Sequence, residues 1–98
     1  MTESNAQEQK MNIKASDAVL AGRYVNAAQI SHSKEEFTQD FMQLMPPQAQ
    51  LAARVIMTPA TAKRVMLALK DNIEKYEAQF GAIDASGPAP TEHGFRVA

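Results

Sequence analysis

The sequence predicts an α+β domain: a three-stranded antiparallel meander followed by one long C-terminal helix, assembled as a dimer. Three observations predict it. One unbroken helical stripe runs from residue 59 to residue 80, and three shorter apolar segments bounded by turn-like sequence precede it. Neither side of the sheet those segments would build is polar enough to face water alone.

Both ends of the chain are polar. MTESNAQEQKMNIKAS opens it without an apolar face, and DASGPAPTEHGFRVA closes it with two of the five prolines. Residues 1–22 and 84–98 therefore read as flexible tails around a core of residues 23–83. The first strand is expected over Arg23–Ser31 (RYVNAAQIS), and the link SHSKEE is short enough to close a hairpin. The second strand is Phe37–Met45 (FTQDFMQLM). Phe37, Phe41, Leu44 and Met45 would also line a helical face, but the segment's length and the break at Pro46-Pro47 favour a strand. The third strand is Gln50–Met57 (QLAARVIM).

The helix is the clearest element. Thr58 supplies an N-cap hydroxyl, Pro59 suits the first helical position, and Gly81 is a natural left-handed terminator after Phe80. Ala62, Val65, Met66, Leu69, Ile73, Tyr76 and Phe80 share one face, with Asp71 and Lys75 in favourable i,i+4 order opposite.

Placing Ile30 near Thr38 and Ala28 near Asp40 puts Tyr24, Ala28, Ile30, Met42 and Leu44 on one sheet face. Val25, Ala27, Phe37 and Phe41 then occupy the other. One helix covers one face, so a second subunit is expected on the other. A helix from Pro59 to Phe80, about 33 Å long, also overhangs strands of about 27 Å and leaves Tyr76 and Phe80 for a neighbour.

The 98-residue chain carries ten Lys and Arg against eleven Asp and Glu, a formal charge of -1, and no cysteine. A core of some sixty residues is marginal alone, and neither a disulfide framework nor a thiolate metal site is available to support it. Balanced charge argues against a chain devoted to non-specific nucleic-acid binding. No signal peptide or membrane span is expected, and the protein is read as cytoplasmic.

Few residues suggest chemistry. His32 beside Ser31, Ser33, Glu35 and Glu36 invites an acid–base or metal reading, and His32, Glu36 and Asp40 form a candidate polar site. The plainer reading is a turn whose serine and histidine side chains cap backbone amides. Asn26, Asp40 and Arg54 stand one in each expected strand and suggest a polar row containing an Asp–Arg pair. Arg54, Lys63 and Arg64 form the candidate ligand or nucleic-acid contact, with solvated helix residues as the alternative. Met42, Met45, Met57 and Met66 suit either a core or a plastic surface for apolar peptide. No catalytic, cofactor-binding or metal residue is expected, and no cofactor.

The strings YVNAAQISHSKEEFTQDF and RVIMTPATAKRVMLALKDNIEKYEAQFG contain a V-S-H-S-x-E-E-F-x-x-D-F-like stretch and an R-I-I-M-S-P-x-x-A-K-R-like stretch. The second runs into a helix ending N-I-x-x-Y-E-x-x-F-G. By these motifs the chain resembles the bacterial and archaeal family of domain of unknown function 3467, from Tyr24 to about Ile83. Ser31, His32, Ser33, Glu36, Phe37, Asp40, Phe41, Arg54, Met57, Pro59, Ala62, Lys63, Asn72, Tyr76, Glu77, Phe80 and Gly81 carry the resemblance. Thr58 stands where a serine is common and keeps the capping hydroxyl. The resemblance supports the core limits and implies no activity, substrate or catalytic residue. The expected function is an oligomeric interaction module, adaptor or chaperone-like, with protein or peptide as partner. A nucleic-acid-binding accessory protein is the alternative.

Overall fold

The computed structural model describes residues 10–86. Of the expected tails, 1–22 and 84–98, residues 1–9 and 87–98, including His93, lie outside those described. The elements run α1 (Asp17–Ala21), β1 (Ala27–His32), β2 (Phe37–Met45), β3 (Gln48–Met57) and α2 (Pro59–Phe80). The sheet is antiparallel in the order β1-β2-β3. This is the βββα meander that the sequence predicts.

α2 forms over the range its sequence signals. The Thr61 N–H donates to Thr58 Oγ1 at 3.1 Å, and the Ala62 N–H donates to the Thr58 carbonyl at 2.9 Å. Pro59 sits at the helix start, where no intrahelical donor is needed. At the other end Gly81 takes φ 96°, a backbone region in which a Cβ is strained. Its N–H donates to the Glu77 carbonyl. Lys75 and Asp71 pair at 3.0 Å on the polar face, and Lys70 and Glu74 lie 3.7 Å apart.

The expected flexible N-terminal segment contains α1, a five-residue turn of helix that no periodicity announces. Ser16 caps it by accepting from the Val19 N–H, and Gly22 at φ 83° ends it. β1 begins at Ala27 rather than Arg23, and β3 begins at Gln48 rather than Gln50. The turn between β2 and β3 is only Pro46-Pro47, joined by a cis peptide bond, so pairing resumes at once with Met45 opposite Gln48.

The hairpin register differs from expectation by one residue. Ile30 stands opposite Gln39 rather than Thr38, and Ala28 opposite Phe41 rather than Asp40. The cause lies in the link 33–36. Ser33 Oγ accepts from the N–H groups of both Glu35 and Glu36, and the Ser33 N–H donates to the Glu36 carbonyl at 2.8 Å. That arrangement sets His32 opposite Phe37, and a one-residue slip exchanges the faces of every β1 side chain relative to β2. One face therefore carries Ala27, Met42, Leu44, Leu51 and Ile56 with Gln29, Asp40 and Arg54. The other carries Ala28, Ile30, Phe37, Phe41, Val55 and Met57 with His32 and Gln39. Ala52 is the extra residue of a β-bulge, because Phe41 pairs with Ala53 and Met42 with Leu51. Both faces remain rich in apolar side chains.

The largest departure concerns α2, expected to lie across one sheet face. Thr61 and Ala62 of its first turn are half-buried, and from Lys63 to Phe80 only Glu77 is even half-buried. Met66, Leu69, Tyr76 and Phe80 are between 47% and 65% exposed. The only apolar side chains below 9% exposure among the described residues are Ala27 and Met42. The radius of gyration is 17.2 Å, against about 13 Å for a compact domain of about 100 residues. The helix leaves the sheet after its first turn and carries its apolar stripe into solvent.

Candidate functional site

The polar centre of the sheet is the pair Asp40–Arg54. The two residues stand directly opposite in the β2–β3 register. The Arg54 guanidinium donates from Nε to Oδ1 at 2.7 Å and from Nη2 to Oδ2 at 2.9 Å, a fork-to-carboxylate match. Those charge-assisted hydrogen bonds hold the Asp40 carboxyl below its ordinary value, against a smaller opposing effect of desolvation, with Arg54's charge helping. The Arg54 guanidinium is raised by the same bonds and charge.

The expected row is thus present in part. Gln29, not Asn26, is the β1 residue opposite Asp40. Asn26 extends the β1–β2 ladder one residue before Ala27, the first residue of β1. Its backbone N–H donates to the Met42 carbonyl at 3.0 Å. Its side-chain amide then imitates a peptide unit: Nδ2 donates to the Leu44 carbonyl at 3.2 Å, and Oδ1 accepts from the Leu44 N–H at 2.7 Å. Sequence reasoning missed this role, because an Asn before a strand looks like any turn residue.

The other candidates are not joined into a site. Arg54 spends its fork on Asp40, and Arg64 reaches back along its own helix to Thr61 Oγ1 at 3.4 Å. Lys63 is exposed and makes no ion pair among the described residues. His32 is stacked on Phe37, with ring centroids 5.3 Å apart and planes at 23°. It shares the Phe37 face, whereas Asp40 belongs to the opposite face. Glu36 is exposed at the hairpin link and gives its backbone groups to Ser33. The candidate polar site of His32, Glu36 and Asp40 is therefore divided between two faces and a loop. Among the described residues no three His, Cys, Asp or Glu side chains group as metal ligands. No helix among them is long and apolar enough to cross a membrane.

What the described residues do assemble is apolar surface. Met66, Leu69 and Ile73, flanked by Lys70 and Glu74, line a shallow open groove along α2. Tyr76 and Phe80 extend it one turn on, with rings 4.9 Å apart and tilted by 46°. Of the four internal methionines only Met42 is buried. Met57 is half-buried, with its Sδ accepting from Gln39 Nε2 at 3.6 Å, while Met45 and Met66 are exposed. The stripe is thus an exposed apolar surface on a helix otherwise laced with i,i+4 ion pairs.

No curated protein and no solved structure matches this chain. The family model described as Protein of unknown function (DUF3467) matches residues 1–85. The match takes in α1 and the residues before it as well as the meander and helix. The chain belongs to that family.

Proposed function

We infer that this protein is a small self-associating interaction module of the cytoplasm, which acts by covering apolar surface with polypeptide rather than by catalysis. One observation carries the reading: the apolar stripe of α2 is exposed beyond Ala62, while among the described residues only Ala27 and Met42 are buried. A fully buried Leu, Ile, Met or Phe contributes about 1.5–3 kcal/mol. An isolated chain forgoes nearly all of that while still bearing the entropic cost of ordering each residue, about 1–2 kcal/mol for the backbone alone. A partner surface recovers it. An adaptor or chaperone-like role follows if part of the apolar surface stays open after assembly.

The nucleic-acid alternative draws less support. Its three cations are not gathered, and Arg54 is already committed to Asp40. Size-exclusion chromatography with light scattering, run beside binding of an apolar fluorescent dye, tests the proposal. We expect a species larger than one chain at micromolar concentration, with dye binding weaker than that of the dissociated chain. A folded monomer at that concentration overturns the reading. A salt-sensitive gel shift with a short duplex or single strand would restore the alternative.

A further inference from the structure

The apolar residues of α2 do more than share a face. Ala62, Met66, Leu69, Ile73, Tyr76 and Phe80 follow one another at steps of four, three, four, three and four. That is the 3.5-residue repeat of a helix–helix seam, narrower than the stripe of a helix lying on its own sheet. With Met66 at an a position, Ala62, Leu69 and Tyr76 are d positions, Ile73 and Phe80 are a positions, and Lys63, Lys70 and Glu77 are e positions. Val65 flanks the seam, and the structure leaves the whole of it beyond Ala62 exposed.

We propose that the occupant is a second copy of this chain, whose α2 packs antiparallel to the first about a two-fold axis level with residue 71. Two features of α2 select this arrangement, which rests on the self-association proposed above. The first is size. Antiparallel seams pair a with d, so the layers become Ala62 with Phe80, Met66 with Tyr76 and Leu69 with Ile73, each occurring twice by symmetry. The smallest seam residue meets an aromatic ring, so small faces large, as filling a seam to interior density requires. Parallel helices in register instead stack Ala62 on Ala62 and Phe80 on Phe80, which leaves a void at one end and crowding at the other.

The second feature is charge. Antiparallel helices bring e positions beside e positions, so Lys63 of each chain faces Glu77 of the other. Lys63 is unpaired among the described residues, and Glu77 is half-buried with one carboxylate oxygen accepting from the Ile83 N–H at 2.9 Å. The central Lys70 of each chain carries its own counter-charge, Glu74, 3.7 Å away. In the parallel arrangement the e residues Lys70 and Glu77 meet Val65 and Asn72, with no opposite charge.

The arrangement also bears on the sheet. Because α2 starts where β3 ends, the partner's Phe80 arrives beside Ala62, one helical turn from the Thr58 cap. Each sheet is thereby approached by the C-terminal turn of the other chain's helix. Three pairs of layers are fewer than a free-standing coiled coil carries, so contact between sheet and partner helix completes the interface.

The test uses the full-length chain. Lys63→Glu places like charges together twice per dimer and should raise the dissociation constant about tenfold in low salt. Adding Glu77→Lys to it should recover most of that loss, although the Ile83 bond is given up. Cysteine pairing gives a second readout on a chain with no native cysteine. Mixed Ala62→Cys and Phe80→Cys chains should form an intermolecular disulfide, while Ala62→Cys alone should not, its two copies being about 27 Å apart along the axis. An Ala62→Cys homodimer that cross-links readily, or a double charge variant no tighter than Lys63→Glu, overturns antiparallel pairing and leaves self-association standing. A wild-type monomer overturns both.

Discussion

Asn26 and Asp40 show how much single side chains contribute to a sheet this small. The Asn26 amide makes two hydrogen bonds to the Leu44 backbone, closing a ladder that would otherwise end in open donors and acceptors. Replacing it with Ala should destabilise the protein by about 1–3 kcal/mol, read from the midpoint of urea unfolding, because both Leu44 groups lose their partner. Asn26→Asp keeps the acceptor for the Leu44 N–H but not the donor, and should fall between the two. For Asp40 the expectation is a pH dependence. Its carboxyl is held below the ordinary value in the folded state, so its contribution is present above the unfolded value of about 3.9 and is lost as pH falls through the folded value. Asp40→Asn should therefore lower Tm modestly near neutral pH, with the difference from wild type closing as pH is taken below about 3.9. Arg54 is half exposed, so solvent screening keeps the effect small.

At the scale of elements, legibility in the sequence follows how local the determining physics is. α2 is set by interactions within four residues of each other: the Thr58 cap, Pro59, the apolar spacing and Gly81. Its limits can be read directly. The cap predicts that Thr58→Ala should cost about 1 kcal/mol while Thr58→Ser costs little, since Ser keeps the acceptor for the Thr61 N–H. Urea unfolding distinguishes the two. The three strands are legible as segments because Pro46-Pro47 and the SHSKEE link punctuate them. Their register is not, since it turns on whether Ser33 gathers the Glu35 and Glu36 amides into a longer or a shorter link, and a one-residue difference moves a whole strand to the other face. The Asp40–Arg54 pair was legible as a possibility, and only the register makes it a bidentate contact. α1 went unannounced because five residues are too few to show a helical period.

The whole molecule departs most from what its parts suggest. A meander and a long amphipathic helix imply a helix lying on a sheet, yet α2 leaves the sheet after one turn, and apolar surface stays open on the helix and both sheet faces. The sign of this was in the sequence: the strict alternation of three- and four-residue steps from Ala62 to Phe80 is the period of a seam between helices. It passes for an ordinary amphipathic stripe until the exposure of α2 shows that none of the described residues covers it. If a second copy does, folding and association are one process, and thermal unfolding should shift to higher temperature as protein concentration rises. Sedimentation equilibrium of the full-length chain at micromolar concentration tests this most directly. Mutual covering predicts a mass of twice 10.7 kDa, with helix content lost together with the dimer on dilution. A 10.7 kDa species that keeps its helix and unfolds cooperatively at every concentration would contradict it.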